Sequence, residues 1–230
     1  MKKILFTAIA VFIVMRFGMA QSCSQFINAV NGKKLVYSNL DAKGKGQGKI
    51  NYTSTKKDAS TITVHTEILD KNGQSASNSD SEISCNGDAI SIDMKSFIPP
   101  GSVKQFNKMQ MQGDGKYLVY PLNLKAGQTL EDGSVNIIIT NDGHQMGNIQ
   151  MDITNRKVEQ EETVNTAAGD FNCFRISYDA ALKVKMMGIG FPVRMRVTEW
   201  FAPKLARFVK SETYSKNNKL MGTTQLESIN

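Results

Sequence analysis

The sequence predicts a mainly β protein, an antiparallel meander that forms a curved half-barrel with one short helix against it. Apolar side chains occupy every even position from Phe174 to Met186, and the odd positions between them are mostly polar or charged. The same alternation returns from Phe191 to Val197 after two glycines. Because side chains on a strand alternate between faces, these two runs predict one exceptionally long hairpin with an apolar face and a polar face.

Short turns rich in glycine and asparagine separate the alternating runs along most of the chain, as in Asp70-Lys-Asn-Gly73. Such turns suit antiparallel hairpins, since parallel strands need long crossover connections. Eleven strands are predicted, at residues 33–41, 47–57, 60–70, 74–86, 88–95, 134–141, 145–164, 171–187, 191–201, 206–215 and 219–228.

One helix is predicted over residues 102–111, directly after the chain-breaking Pro99–Gly101. Ser102 and Gln105 have the spacing of a capping box, and apolar residues follow at intervals of three. We expect this helix to lie across the concave face of the sheet or to close one end of it. Residues 113–132 are predicted to form the longest irregular connection.

The first twenty residues have the pattern of a cleaved signal peptide. Basic residues after Met1 precede an apolar run from Ile4 to Val14, and small residues stand at Gly18 and Ala20. This run is shorter than the roughly 20 residues that a membrane span requires. We therefore predict an exported chain, periplasmic or secreted, with one β domain over residues 21–230 and no integral membrane segment after cleavage.

Lipid attachment at Cys23 is disfavoured, because the preceding Ala20, Gln21 and Ser22 lack the leucine usual at a lipoprotein cleavage site. Three cysteines leave one unpaired in an exported protein. Cys23 opens the mature chain and Cys85 stands at a strand end, so we predict that these two form a disulfide. Cys173 lies inside a long strand and is predicted to be a buried free thiol.

Charge and motifs exclude several classes of function. The formal net charge of +7 is partly due to the leader, and basic residues are spread out rather than massed, so nucleic-acid binding is not predicted. The two histidines, His65 and His144, have no second ligand nearby, so no metal site is predicted. No nucleophile or phosphate-binding motif is present, and we predict no cofactor and no enzymatic activity.

Glu199 is the one carboxylate whose position is ambiguous. Strict alternation from Phe191 would place it on the apolar face, where a carboxylate needs a partner or a shifted pKa. Alternatively, a bulge or the strand end near Pro203 turns it outward, and we favour this second interpretation. A hydrolase that uses carboxylates such as Glu199 is the least favoured of three functional hypotheses.

The apolar face of the long hairpin is the leading candidate site, because pliable methionines on it suit an apolar ligand of variable shape. It would serve a non-catalytic binding or carrier module for a lipid-like ligand, although the same residues would also fill an ordinary core. The alternative function is docking of an envelope protein through an edge strand. The candidate ligand-binding residues are Phe106, Met109, Ile176, Tyr178, Leu182, Val184, Met186, Phe191, Val193 and Met195.

Six segments resemble the TapB-like domain-of-unknown-function proteins exported by Bacteroidetes. They are Ile153–Glu159, Ala168–Asp179, Glu199–Pro203, Val209–Glu212, Asp93–Ser96 and Gly127–Gly133. The resemblance implies a half-barrel similar to lipoprotein carriers and a location in the cell envelope, and it implies no catalytic or binding residues. The sequence departs from the family pattern at Pro203–Ala206, where a turn containing glycine is expected.

Overall fold

The computed structural model describes residues 23–97, 110–115, 117–186 and 189–230. This part of the chain contains one α-helix, α1 (Cys23–Val30), and two 3₁₀ turns, Met94–Phe97 and Pro203–Leu205. Thirteen strands were found in it: β1 (Lys34–Asp41), β2 (Gly46–Lys56), β3 (Thr61–Asp70), β4 (Ser75–Asn86), β5 (Ala89–Asp93), β6 (Gln110–Gly115), β7 (Tyr117–Pro121), β8 (Gly133–Asn141), β9 (His144–Thr166), β10 (Gly169–Met186), β11 (Ile189–Ala202), β12 (Arg207–Ser215) and β13 (Leu220–Ile229).

All of these strands belong to one antiparallel sheet with the order β6-β8-β9-β10-β11-β12-β13-β1-β2-β3-β4-β5-β7. Sequential neighbours pair throughout β1–β5 and β8–β13, and β1 joins the two meanders by pairing with β13. The predicted antiparallel meander is confirmed. The sheet is barrel-like and nearly closed, with one unsealed seam.

The seam lies where β6 and β7 occupy the two edges of the sheet. Only Lys116 separates these strands in sequence, yet β6 pairs with β8 and β7 pairs with β5. One stretch of chain therefore supplies both edges of the barrel-like sheet. β6 covers only residues 135–140 of β8, so the start of β8 lies against β7 at the other edge, and we call this boundary between β7 and β8 the seam.

The prediction for the region before β8 was partly wrong. Residues 110 and 111, assigned to the end of a helix, begin β6, and the expected irregular connection contains β7. In β7 the alternation is plain, since Leu118 and Tyr120 are buried whereas Tyr117 is exposed. The rest of the predicted helix lies outside the described residues.

Helix α1 packs against the sheet and was not predicted. It packs against the Pro203–Leu205 turn and against β2 and β4. Phe26, Ile27 and Val30 are buried on its inner side. Their spacing is the one expected for the apolar stripe of a helix, so the signal was present in the sequence. In the described part of the chain, no helix has the length and apolar character needed to cross a bilayer.

The long strands keep the predicted alternation only between bulges. Ile176, Tyr178, Ala180 and Leu182 are buried on the inner face of β10, as predicted. Toward the start of β10 the pairing with β9 shifts register after Arg175, and the alternation changes phase there. The buried residue before this shift is therefore at an odd position, Cys173, because a bulge re-aims the side chains that precede it.

The turn after β11 forms without the expected glycine. Ala206 follows the Pro203–Leu205 turn with φ 46° and ψ 37°, in the left-handed region, and its backbone N–H donates to the carbonyl of Pro203. Ala206 is fully buried, which holds a conformation that alanine alone disfavours.

The prediction of a single domain over residues 21–230 and that of a signal peptide over residues 1–20 stay predictions. The first extends beyond the described residues, and the second falls entirely outside them.

Candidate functional site

Glu199 points into the sheet, and the expectation that it turns outward was wrong. Its side chain is 1% exposed. On β11 it stands opposite Ile176, whose side chain is also buried. The register shift between β11 and β12 lies between Trp200 and Phe201, one residue past Glu199, so it comes too late to reverse the alternation.

Two tyrosines hold the carboxyl group of Glu199. The hydroxyl of Tyr120 donates to Oε1 at 2.8 Å, and the hydroxyl of Tyr178 lies 3.4 Å from Oε2. The ring of Tyr120 stacks on Phe201 with centroids 4.2 Å apart. Burial raises the pKa of Glu199, while the positive charge of Arg156 opposes this shift. The group is thus a hydrogen-bond acceptor fixed in a largely apolar interior.

Arg156 is the largest fully buried side chain of the described residues, and its position was not predicted from the sequence. On β9 the buried positions are odd up to Ile153, and then Asn155 adopts φ 57°. This left-handed residue shifts the alternation by one, so that Arg156 and Val158 face inward. An asparagine within a long alternating run was the available signal, since asparagine tolerates the left-handed region.

The guanidinium of Arg156 connects the two sides of the seam. Its Nη1 donates to the carbonyl of Val119 in β7 at 3.2 Å and to that of Glu131, just before β8, at 2.6 Å. The guanidinium carbon lies 4.6 Å from the ring centroid of Tyr120. Nε and Nη2 have no hydrogen-bond partner among the described residues.

A second buried arginine lies in the same interior. Arg207 is 5% exposed, and its guanidinium carbon lies 3.8 Å from the ring centroid of Tyr52. Tyr37 packs edge-on against Tyr52, and its hydroxyl donates to the carbonyl of Phe208 at 2.6 Å. Burial raises the pKa of Tyr37, so its hydroxyl stays a donor at ordinary pH. We call Tyr120, Arg156, Tyr178, Glu199 and Arg207 the interior polar cluster.

The raised pKa of Glu199 predicts a pH dependence of stability. A group whose pKa is higher in the folded state stabilises the fold below its pKa in the unfolded state, which is about 4.3 for glutamate. This stabilisation is lost as the pH rises through the pKa of the folded state. We expect the free energy of unfolding of the wild type, minus that of Glu199→Gln, to fall with rising pH by at most about 1.4 kcal/mol per pH unit.

Urea denaturation of both proteins across the acidic and neutral range measures this difference. Glu161→Gln, at an exposed position of β9, is the control for a carboxylate outside the interior. A difference that instead grows with pH would mean that the arginines stabilise an ionised Glu199 more than burial disfavours it.

The structure separates the candidate ligand-binding residues into three groups. Ile176, Tyr178 and Leu182 are buried in the core, whereas Val184, Met186 and Met195 are half-buried against it. Val193 is 48% exposed. Phe106, Met109 and the side chain of Phe191 lie outside what the structure describes.

The cysteines agree with the prediction. Cys23 and Cys85 form a disulfide that ties the start of α1 to the end of β4. Cys173 is a free, buried thiol, and burial raises its pKa to about 12. A thiol in this environment is unreactive, because the thiolate is the nucleophile.

The histidines lie at the surface. His65 is exposed on β3 and pairs with Asp80 at 2.8 Å, and His144 is exposed at the start of β9. In the described ranges, no group of three or more His, Cys, Asp or Glu side chains could hold a metal ion.

Together, the sheet and the interior polar cluster define a barrel-like antiparallel β protein whose interior is filled by side chains. Residues 30–226 match the model of the DUF3108-like family, a family of unknown function, and the chain belongs to that family. The match confirms a domain-of-unknown-function family but not the TapB-like name. No curated protein matches the chain significantly.

Two solved structures share the fold. One is a protein of Bacteroides fragilis that is proposed to be exported and has a YmcC-like fold. It is 21% identical to this chain with a TM-score of 0.69, and the match covers 87% of this chain and 96% of the Bacteroides fragilis chain. The other is a proposed lipoprotein of Parabacteroides distasonis. It is 23% identical to this chain with a TM-score of 0.73, and the match covers 91% of this chain and 100% of the Parabacteroides distasonis chain.

Proposed function

We propose that this chain is an exported, non-catalytic binding module that takes an apolar, lipid-like ligand at the distal end of the β10–β11 hairpin. The observation that carries the proposal is a gradient of exposure along the inner face. Leu182 is buried, whereas its cross-strand partner Val193 is 48% exposed and Ile189, opposite Met186, is 72% exposed.

The gradient of exposure arises because β11 extends past the end of β12, its neighbour in the sheet. β12 ends at Ser215, opposite Met195, and residues 189–194 have no further neighbour on that side within the described sheet. The side chains of Ile189 and Val193 are therefore accessible, and covering them with a ligand would gain about 25 cal/mol per Å² of apolar surface. We call Val184, Met186, Ile189, Val193 and Met195 the distal apolar face. Val184, Met186 and Met195 form its half-buried base.

Three observations support export and an envelope location. Disulfides such as Cys23–Cys85 persist in oxidising compartments outside the cytoplasm. The two structural neighbours are described as exported or lipoprotein. Residues 1–20 have the composition of a signal peptide.

Uptake of a fluorescent fatty acid, together with native mass spectrometry after mild purification, tests the proposal. We expect saturable binding that Val193→Lys weakens by at least about tenfold, because the ammonium would have to be desolvated beneath the ligand. Met221→Lys is the matched control, since Met221 is 47% exposed on β13, two strands away from β11. Absence of saturable uptake, together with a ligand-free native mass, would overturn the proposal.

Docking of an envelope protein is the second candidate, and the same missing neighbour favours it. The open edge of β11 at residues 189–194 could accept an added strand from a partner. Pro192 lies in this stretch and has no backbone N–H group, so an added strand would form one hydrogen bond fewer there. Capture of a partner from envelope fractions without any fatty-acid uptake would favour docking over ligand carriage.

The hydrolase hypothesis gains no support from the geometry. Among the described residues, the hydrogen-bond partners of the Glu199 carboxyl group are tyrosines, and neither is a second carboxylate.

A further inference from the structure

The outer face of β9–β12 carries a polar depression of about 570 Å³. Most of its lining residues lie on the face of the sheet opposite Glu199 and Arg156, and Tyr178 of the interior polar cluster also borders it. Its side chains alternate with buried ones, as Thr198 and Trp200 do with Glu199 on β11. Register shifts in the β9–β10, β11–β12 and β12–β13 pairings bend these strands. We propose that this depression, the outer groove, binds a neutral saccharide.

Trp200 and Tyr214 line the outer groove from adjacent strands, and Tyr178 is the third aromatic residue of the lining. Trp200 is held in place, because its Nε1 donates to Glu162 at 2.7 Å and the ammonium of Lys210 lies 4.5 Å from the ring centroid. Tyr214 donates its hydroxyl to Glu212 at 2.5 Å. Fixed aromatic rings offer an apolar surface with a polar rim at low entropic cost, which suits the C–H faces and hydroxyl edges of sugar rings.

Hydrogen bonds also fix two carboxylates of the outer groove. Ser177 donates to Oε1 of Glu159 at 2.6 Å, and Lys210 donates to Oε1 of Glu212 at 2.6 Å. A carboxylate has more acceptor positions than these bonds use, so each retains capacity for a ligand hydroxyl. The groove is therefore arranged before any ligand binds, which lowers the cost of binding.

The charge of the lining selects among ligand classes. Three carboxylates, those of Glu159, Asp179 and Glu212, face two arginines, Arg175 and Arg196. The charges nearly cancel, so the groove attracts neither a phosphate nor a strong cation. Both donors and acceptors are present, and a hydroxyl group can serve as either. A neutral polyhydroxylated ligand matches this lining, whereas an acyl chain would leave its polar groups without partners.

The volume agrees with a small-molecule site, for which about 300–1,000 Å³ is typical. The outer groove and the distal apolar face lie on opposite faces of the sheet. The two proposals therefore stand or fall independently.

Trp200 makes the test direct, because it is the one tryptophan of the sequence and lies in the groove. A glycan array probes the protein first, and chitotriose, maltotriose and xylotriose are then titrated by calorimetry and tryptophan fluorescence. We expect saturable binding of at least one neutral glycan, with a shift in the Trp200 emission.

Thr198→Tyr fills the middle of the groove and should weaken that binding by at least about tenfold. Thr63→Tyr makes the same change on the outer face of β3 and should leave the binding unchanged. Thr198→Tyr should also leave fatty-acid uptake unchanged, which separates this site from the distal apolar face. The proposal is overturned if no glycan gives a saturable response, or if Thr198→Tyr binds as tightly as the wild type.

Discussion

Replacing Arg156 with methionine is expected to lower the free energy of unfolding by about 3 kcal/mol. The substitution keeps an unbranched side chain but removes the donor shared by the carbonyls of Val119 and Glu131. Each buried acceptor left without a partner costs about 1–3 kcal/mol. Glu199 would also lose the positive neighbour that opposes its desolvation.

Urea denaturation followed by circular dichroism measures this loss. Arg196→Met is the matched control, since Arg196 is 56% exposed and its ion pair with Asp179 at 3.7 Å should contribute less than about 1 kcal/mol. The double variant Arg156→Met with Glu199→Gln should recover part of the loss, because it removes the isolated carboxyl charge. A loss of less than about 1 kcal/mol for Arg156→Met would show that its hydrogen bonds across the seam are dispensable.

Removing the disulfide should have an effect of similar size. Cys23 and Cys85 are 62 positions apart in the sequence, and replacing both by serine is expected to lower the free energy of unfolding by about 4 kcal/mol. The disulfide anchors α1, whose Phe26 and Ile27 are fully buried, so its loss should also free the helix to detach.

The same denaturation experiment measures the global loss, and limited trypsin digestion measures the local one. Faster cleavage after Lys33, between α1 and β1, or after Lys34, the first residue of β1, is expected in the double serine variant and in reduced wild type alike. Equal cleavage rates and unchanged stability would mean that packing alone holds α1.

The sequence predicted the sheet well because most of its strands follow a period of two and end at recognisable turns. It failed where one residue changes the phase of a strand. Asn155 turns Arg156 inward by a bulge, and no periodic pattern announces which strand will bulge. Glu199 shows the converse, since it simply obeyed the alternation against the general expectation that a carboxylate avoids the interior.

The candidate sites were predictable to different degrees. The distal apolar face was largely accessible from the sequence, because all its residues except Ile189 belong to the two alternating runs of the β10–β11 hairpin. The interior polar cluster was not, because it combines side chains from strands far apart in the chain. The outer groove was not predicted either, because its side chains come from four strands whose alignment depends on their register. Tyr120, for example, meets Glu199 only through the closure of the sheet.

The pairing of β1 with β13 has a consequence for how the chain folds. Leu35 pairs with Ile229, so the first and last strands of the described chain lie side by side. The meander β1–β5 can form from local contacts, but its junction with β8–β13 must wait until the final strand has been made and brought back to β1. Contacts of such long sequence separation slow folding. A chain that lacked only β13 would keep two half-sheets whose facing edges are unpaired, and it would be prone to aggregate through them.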